Sequence, residues 1–273
     1  MSFIKTPLQK AEAAIVEADA VVIGAGAGLS TAAGINYSGP DFEKAFSDMI
    51  ARFGFTDLYT SSFYPFQSEE EKWAYWSRHI DYARFAPEGK PLYRHLLEMV
   101  QGKEYFVITT NVDGQFAKAG FDPDKVFEVQ GDYGLMQCAT ACHPRRYSNE
   151  SLVKQMVAEQ QDCLIPSALV PRCPVCGGPM EINVRKDRYF VEDDRWHLQA
   201  DRYYAFLEKM LGKGKLVLLE YGVSYNTPTI IRFPFERMAA SYPDVTLIRI
   251  NKDYRDCQTP GLRHFIGLET LFL

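Results

Sequence analysis

Nowhere in this chain do apolar residues run on for the roughly 20 positions that a membrane-crossing helix needs. The opening MSFIKTPLQKAEAAIVEADAVVIGAGAG places a polar helical stretch before a short apolar run, which is not the layout of a secretory leader. No membrane association is expected, and a cytoplasmic location is. Cysteine is scarce, 6 in 273 residues, so a disulfide scaffold is excluded and the spacing of the cysteines carries the meaning. There is no surplus of positive charge: 30 Lys and Arg against 35 Asp and Glu give −5, so no general nucleic-acid footprint is present. Repeats and low-complexity tracts are missing too. What remains, 47% apolar and 24% charged, is the composition of a globular protein long enough for one large domain carrying a smaller module.

The pattern along the chain predicts an α/β fold. Residues 7–18 read as a helix with Leu8, Ala11, Ile15 and Ala18 on one face, and 20–24 as a buried strand. Helices are predicted over 91–101, 114–119, 197–211 and 228–240, and strands over 105–109, 126–129, 215–220 and 245–250. Alternating strands and helices imply a parallel sheet. Two segments break the rhythm. Residues 38–90 are dense in aromatics and read as short helices and loops, and 131–196 turn to Cys, Pro, Gly and short polar runs. The expected division is a sheet-bearing domain from 1–37, 91–130 and 197–273, with 38–90 and 131–196 inserted as a small domain.

Three features carry chemistry. First, Gly24-Ala25-Gly26-Ala27-Gly28-Leu29-Ser30 joins the first buried strand to a helix. Glycines there allow a tight turn and close approach of a pyrophosphate to a helix N-terminus, although a purely structural turn has the same look. The acidic residue expected about 20 positions on in a dehydrogenase unit has no counterpart, because the aromatic segment occupies that place. Second, Cys138 and Cys142, then Cys173 and Cys176, form two close pairs. Four thiolates close a tetrahedral Zn²⁺ site with no open position, hence a structural metal; His143, beside Cys142, reads as a bystander. Cys163 and Cys257 stand alone. Third, buried strands end in polar residues at Asn111 and Asp113, at Gln130 to Asp132, at Gly222-Val223-Ser224, and at Asn251. Ligands of open α/β sheets gather at such ends, though Asn and Asp also cap helices.

In order along nearly the whole chain, these segments resemble the sirtuins, NAD-dependent deacylases and ADP-ribosyltransferases. Gly24 to Ile35 is similar to the family's GAGxS…GI opening, and Thr109-Thr110-Asn111-Val112-Asp113 to its TQNID. The cysteine pairs match its zinc module, Gly222-Val223-Ser224 its GTS, and Asn251 its late ribose-binding Asn. The resemblance implies a Rossmann-like sheet and a small zinc-bearing domain, with NAD and Zn²⁺ as cofactors. It further implies that Gly24, Ala25, Gly26, Gly28, Leu29, Ser30, Asn111, Asp113, Gln130, Gly222, Val223, Ser224 and Asn251 bind NAD. Asn111 would orient the ribose and attacking group, and Asp113 would bind the nicotinamide amide. Phe42, in the displaced Pro40-Asp41-Phe42, would shield the nicotinamide pocket. Arg185 is a speculative contact to the modified carrier or cofactor, and reads more readily as a surface arginine.

Three departures redirect the reading. Gln130 stands where the family's catalytic His precedes a Gly, Asn36-Tyr37-Ser38-Gly39 follows Gly34-Ile35 in place of Pro-Asp-Phe-Arg, and Thr110 replaces the Gln of TQNID. This pattern is similar to the macrodomain-linked class M of microbial sirtuins. That class implies protein mono-ADP-ribosylation of a lipoylated carrier resembling the glycine-cleavage H protein, an oxidative-stress setting, and a macrodomain protein encoded nearby. The chemistry agrees: deacylation needs a base to take a ribose hydroxyl proton, which His supplies with a pKa of about 6.5 and glutamine does not. Two alternatives stay open: a deacylase using Asp132 or His143 as base, and a silent NAD-binding scaffold or sensor.

Overall fold

The computed structural model describes residues 5–257 and 259–270. Nine strands are present among them: β1 (Ala20–Ala25), β2 (Glu104–Thr109), β3 (Val126–Glu128), β4 (Gly131–Cys138), β5 (Arg146–Ser148), β6 (Met180–Val184), β7 (Leu216–Tyr221), β8 (Val245–Ile250) and β9 (Phe265–Leu268). Six of them form one parallel sheet in the order β3-β2-β1-β7-β8-β9. The chain builds outward from β1 in one direction, then returns to its other flank with β7. The edge between β1 and β7 is therefore the switch point of the sheet, where ligands of such folds bind.

Helices are α1 (Pro7–Glu17), α2 (Ala27–Ala32), α3 (Pro40–Ala45), α4 (Ser47–Phe53), α5 (Leu58–Ser61), α6 (Glu69–Ile80), α7 (Pro91–Val100), α8 (Gln115–Lys118), α9 (Glu150–Glu159), α10 (Asp194–Met210) and α11 (Arg232–Ser241). Thr6 caps α1 in a reciprocal box with Gln9, which satisfies two amides that a helix start leaves open. One face of the sheet packs Val21, Ile23, Val107 and Leu219 against Ala11, Ile15, Tyr93 and Leu96. The other packs Val22, Phe106, Ile108 and Leu218 against Tyr203, Phe206 and Phe235. Covered on both faces, β1 and β7 are buried along their whole length, which is why they read as unbroken apolar runs.

A second, antiparallel sheet, β5-β4-β6, shares a separate core with the aromatic helices. Phe42, Phe46 and Met49 of α3, the loop behind it and α4, together with Trp73 and Tyr75 of α6, pack with Tyr133, Cys138, Met156 and Ile182. The antiparallel sheet and α9 lie inside the stretch whose texture carries no periodic signal, and β9 has no counterpart among the strands predicted from sequence. Elsewhere the predicted elements recur with shifted ends: α10 begins at Asp194 and α11 at Arg232. Among the described residues no helix is long and apolar enough to cross a membrane.

Candidate functional site

Because the large sheet is parallel, the polar ends of β1, β2, β3, β7 and β8 open on one edge. The turn after β1 and the turn after β7 meet there backbone to backbone. Gly26 N–H donates to Tyr221 O at 3.0 Å and Gly28 N–H to Gly222 O at 2.9 Å. A Cβ on Gly26 would lie 2.7 Å from Gly222 O, and one on Gly28 2.7 Å from Gly222 Cα. These glycines are thus required by the closeness of two loops, and their amides are used in holding it. Val223 is buried under the pair, and Asn251, at the end of β8, donates from Nδ2 to Val223 O at 2.8 Å. Between α2 and these loops lies a cleft of about 490 Å³, lined among others by Gly28, Thr31, Gly222, Ser224, Asn251 and Tyr254. Gly24 faces inward instead, where a Cβ would meet Ile231 and Phe235 at 2.5 and 2.6 Å. Ala25 is buried, and its carbonyl accepts from Thr110 N at 3.0 Å.

On the other flank of α2, a buried polar cluster gathers the end of β2. Ser30 Oγ donates to Asp113 Oδ2 at 2.5 Å and lies 3.1 Å from the Tyr93 hydroxyl. Asn111 Nδ2 donates to Gly26 O at 3.1 Å and to Tyr93 Oη at 3.3 Å. Gln115 N–H donates to Asp113 Oδ1 at 3.1 Å. Burial pushes the Asp113 carboxyl up from its ordinary range, and the Ser30 hydrogen bond opposes the shift. The structure brings the sequence candidates Ser30, Asn111 and Asp113 together and adds Tyr93 to them, which the sequence does not single out because a tyrosine on the apolar face of a helix reads as core.

Gln130 follows β3, half-buried, at the crossing between the two sheets. Its carbonyl accepts from Arg185 N at 3.0 Å, so the structure brings Arg185 beside it. The Arg185 guanidinium lies over the Phe190 ring at 4.3 Å and pairs with Glu192. Gly131, at φ +96°, leaves no room for a side chain, because a Cβ would stand 2.0 Å from Asn183 O. Asp132 is engaged on both oxygens by Arg84, at 2.7 and 3.0 Å, and also accepts from Gly134 N at 2.7 Å. Phe42 is not part of this gathering: its ring is buried and stacks on Phe46 at 5.3 Å in the aromatic core.

The four cysteines of the two close pairs come together at one end of the antiparallel sheet, with all sulfurs within 4.8 Å of one another. Cys138 and Cys176 are 3.7 Å apart, and Cys142 and Cys173 3.6 Å. A tetrahedral Zn²⁺ with bonds of about 2.3 Å would set its sulfurs about 3.8 Å apart. The donor set and its spacing fit a structural zinc. His143 lies 3.1 Å from Cys142 Sγ through Nδ1, and its Nε2 meets Tyr147 Oη at 2.8 Å.

Comparison with known proteins decides the family. The Sir2 family model matches residues 26–205. The chain belongs to the Sir2 family. Among similar proteins of this family, the "Protein ADP-ribosyltransferase" of Staphylococcus aureus (strain Mu50 / ATCC 700699) is 42% identical over 240 residues, covering 88% of this chain and 76% of its own. A "Probable bifunctional ADP-ribose hydrolase/ADP-ribosyltransferase" of Fusarium oxysporum f. sp. cubense is 33% identical over 85% of this chain, which spans 40% of that protein's length. The crystal structure of a Sir2 homologue–NAD complex superposes with a TM-score of 0.56 at 19% identity, covering 96% of this chain and 88% of that one. The sirtuin fold inferred from the motifs is therefore the fold observed.

Proposed function

We propose that this sirtuin is an NAD-dependent protein mono-ADP-ribosyltransferase whose target is a lipoylated carrier protein resembling the glycine-cleavage H protein. The observation that carries the reading is Gln130 itself, together with the state of the two other candidate bases, Asp132 and His143. Glutamine offers no proton acceptor near neutral pH. Asp132 is held on both oxygens by Arg84, and His143 stands against Cys142 at the edge of the cysteine cluster and pairs with Tyr147. Neither is free to take the ribose proton that deacylation requires. ADP-ribose transfer needs less. The bond between nicotinamide nitrogen and ribose C1′ breaks with its electron pair on the departing nicotinamide. A nucleophile of the target then bonds to C1′ and releases its proton to solvent. The similarity to a protein named as an ADP-ribosyltransferase supports the same reading.

In this reading the cleft at Gly28, Gly222, Ser224 and Asn251 holds the adenosine end of NAD. Leu29 and Ser30 lead into the buried cluster, where Asp113 meets the nicotinamide amide and Asn111 the adjoining ribose. Gln130 orients a ribose hydroxyl or the incoming group, and Arg185, beside it, faces the target. Intact mass of the carrier, with and without lipoate, after incubation with NAD tests the proposal. A gain of one ADP-ribose that depends on lipoate is the expected result. Removal of an acyl group from lysine in its place overturns it, and NAD binding with no nicotinamide release assigns the chain to the scaffold class.

A further inference from the structure

Proton counting in the buried cluster fixes the direction of the hydrogen bonds that Asn111 and Ser30 donate. Gly26 O can only accept, so the edge of the Asn111 amide facing it at 3.1 Å is the NH₂ group. The second hydrogen of that nitrogen points to Tyr93 Oη at 3.3 Å. Ser30 has one hydroxyl hydrogen and gives it to the Asp113 carboxylate at 2.5 Å. The Tyr93 hydroxyl hydrogen is then left for Ser30 Oγ, 3.1 Å away, and for the Asp113 carboxylate, with which Tyr93 also interacts. The chain runs one way: the Asn111 amide donates to the Tyr93 hydroxyl, and the hydroxyls of Tyr93 and Ser30 are directed towards Asp113. Three elements contribute to it, α2, α7 and the end of β2. The Tyr93 ring is locked by a T-shaped contact with Phe116 at 4.9 Å and has no exposed surface.

We propose that Tyr93 is a positioning residue of the transfer reaction: its hydroxyl, set between Ser30 and Asn111, takes the second N–H of the Asn111 amide and, together with Gly26 O, holds the amide so that the oxygen, and not the nitrogen, faces the bound ribose. Both Asn111 N–H bonds are consumed by Gly26 and Tyr93, which leaves Oδ1 to accept from a ribose hydroxyl and to place partial negative charge near the carbon that becomes positive as nicotinamide departs. Tyr93 itself makes no contact with the reacting atoms. The inference rests on the functional reading above for what Asn111 does, while the hydrogen-bond chain stands on the geometry alone.

Tyr93→Phe removes the hydroxyl and keeps the ring against Phe116. Loss of one neutral hydrogen bond corresponds to about a 3- to 10-fold fall in kcat for ADP-ribose transfer, with the NAD dissociation constant within about 2-fold of wild type. The decisive measurement is a double-mutant cycle with Asn111→Ala: if Tyr93 acts through Asn111, Tyr93→Phe changes nothing further in that background. Additive losses, or equal kcat for Tyr93→Phe and wild type, overturn the proposal. Should Tyr93→Phe not be recovered folded, Ser30→Ala breaks the same chain one link on and enters the same cycle. A wild-type protein that binds NAD but transfers nothing refutes the functional reading instead, and is distinguished from failure of the relay by that control.

Discussion

At the scale of single residues, the glycines after β1 do two things that a motif does not separate. Gly26 and Gly28 lie against Gly222 so closely that their amides bond to the carbonyls of Tyr221 and Gly222, and the same closeness closes one wall of the 490 Å³ cleft. Sequence alone shows glycines after a strand, and the natural inference is approach to a phosphate. The need for the opposing loop to come just as near is a contact between residues almost 200 positions apart, which no local pattern records. Gly28→Ala separates the two uses. Its Cβ would stand 2.7 Å from Gly222 Cα and 2.9 Å from Gly222 O, both backbone atoms with no rotamer to yield. The loops must part, at a cost of about 1–3 kcal/mol, the usual range for overpacking. Chemical denaturation is expected to show that loss, and titration with NAD a raised dissociation constant, while an alanine at exposed Gly102, strained by its φ of +80° but meeting no neighbour, should lower stability and leave NAD affinity alone.

At the scale of elements, the loops after β7 and β8 are held from beneath by a buried ion network. Glu220 of β7 and Arg249 of β8 are direct cross-strand partners, joined at 2.7 and 2.9 Å with no side-chain exposure on either. Arg249 also reaches Glu236 at 2.6 Å and Asp256 O at 2.9 Å. Arg232, equally buried, donates to Val223 O at 2.9 Å and to Tyr254 O. Two arginines of one network thus grip both loops that border the cleft. A trace of this was present in the sequence, since Glu220 and Arg249 interrupt otherwise apolar strands near the same end. Which strand lies beside which is set by the topology, however, so the pairing was not legible. Arg249→Met leaves Glu220 buried without its principal partner, and about 3–5 kcal/mol of stability should be lost. Combining it with Glu220→Leu removes the stranded charge and should recover much of that loss. Urea midpoints of the two variants check this: a double variant no more stable than the single one would show that Arg249 serves its other partners, Glu236 and the Asp256 carbonyl, more than Glu220.

At the scale of the whole molecule, two sheets with separate cores meet at Gln130. The alternation of strands and helices was readable because a sheet covered on both faces demands continuous apolar strands. The four metal ligands were readable because a tetrahedron needs close pairs. The antiparallel sheet was not, because its strands are short and what packs on them, the aromatic helices, comes from a distant stretch of sequence. Those helices share one hydrophobic cluster with β4, β6 and Cys173, whereas β1 and β7 belong to the other two. Removing the zinc should therefore act unevenly. Stripping with a chelator, or Cys173→Ser, takes away the binding free energy that orders the cysteine loops. The loss then reaches Tyr133 and Ile182 in the shared core, and through them Trp73 and Tyr75 of α6. Hydrogen exchange is expected to accelerate across β4, β6 and α6 while β1 and β7 stay protected, as separate cooperative units would require. Transfer activity should vanish with it, because Gln130 and Arg185 sit where β4 and β6 begin and end. Exchange that rises equally in both sheets would mean that the two cores unfold as one, and that the zinc steadies the NAD-binding edge as directly as it does the small domain.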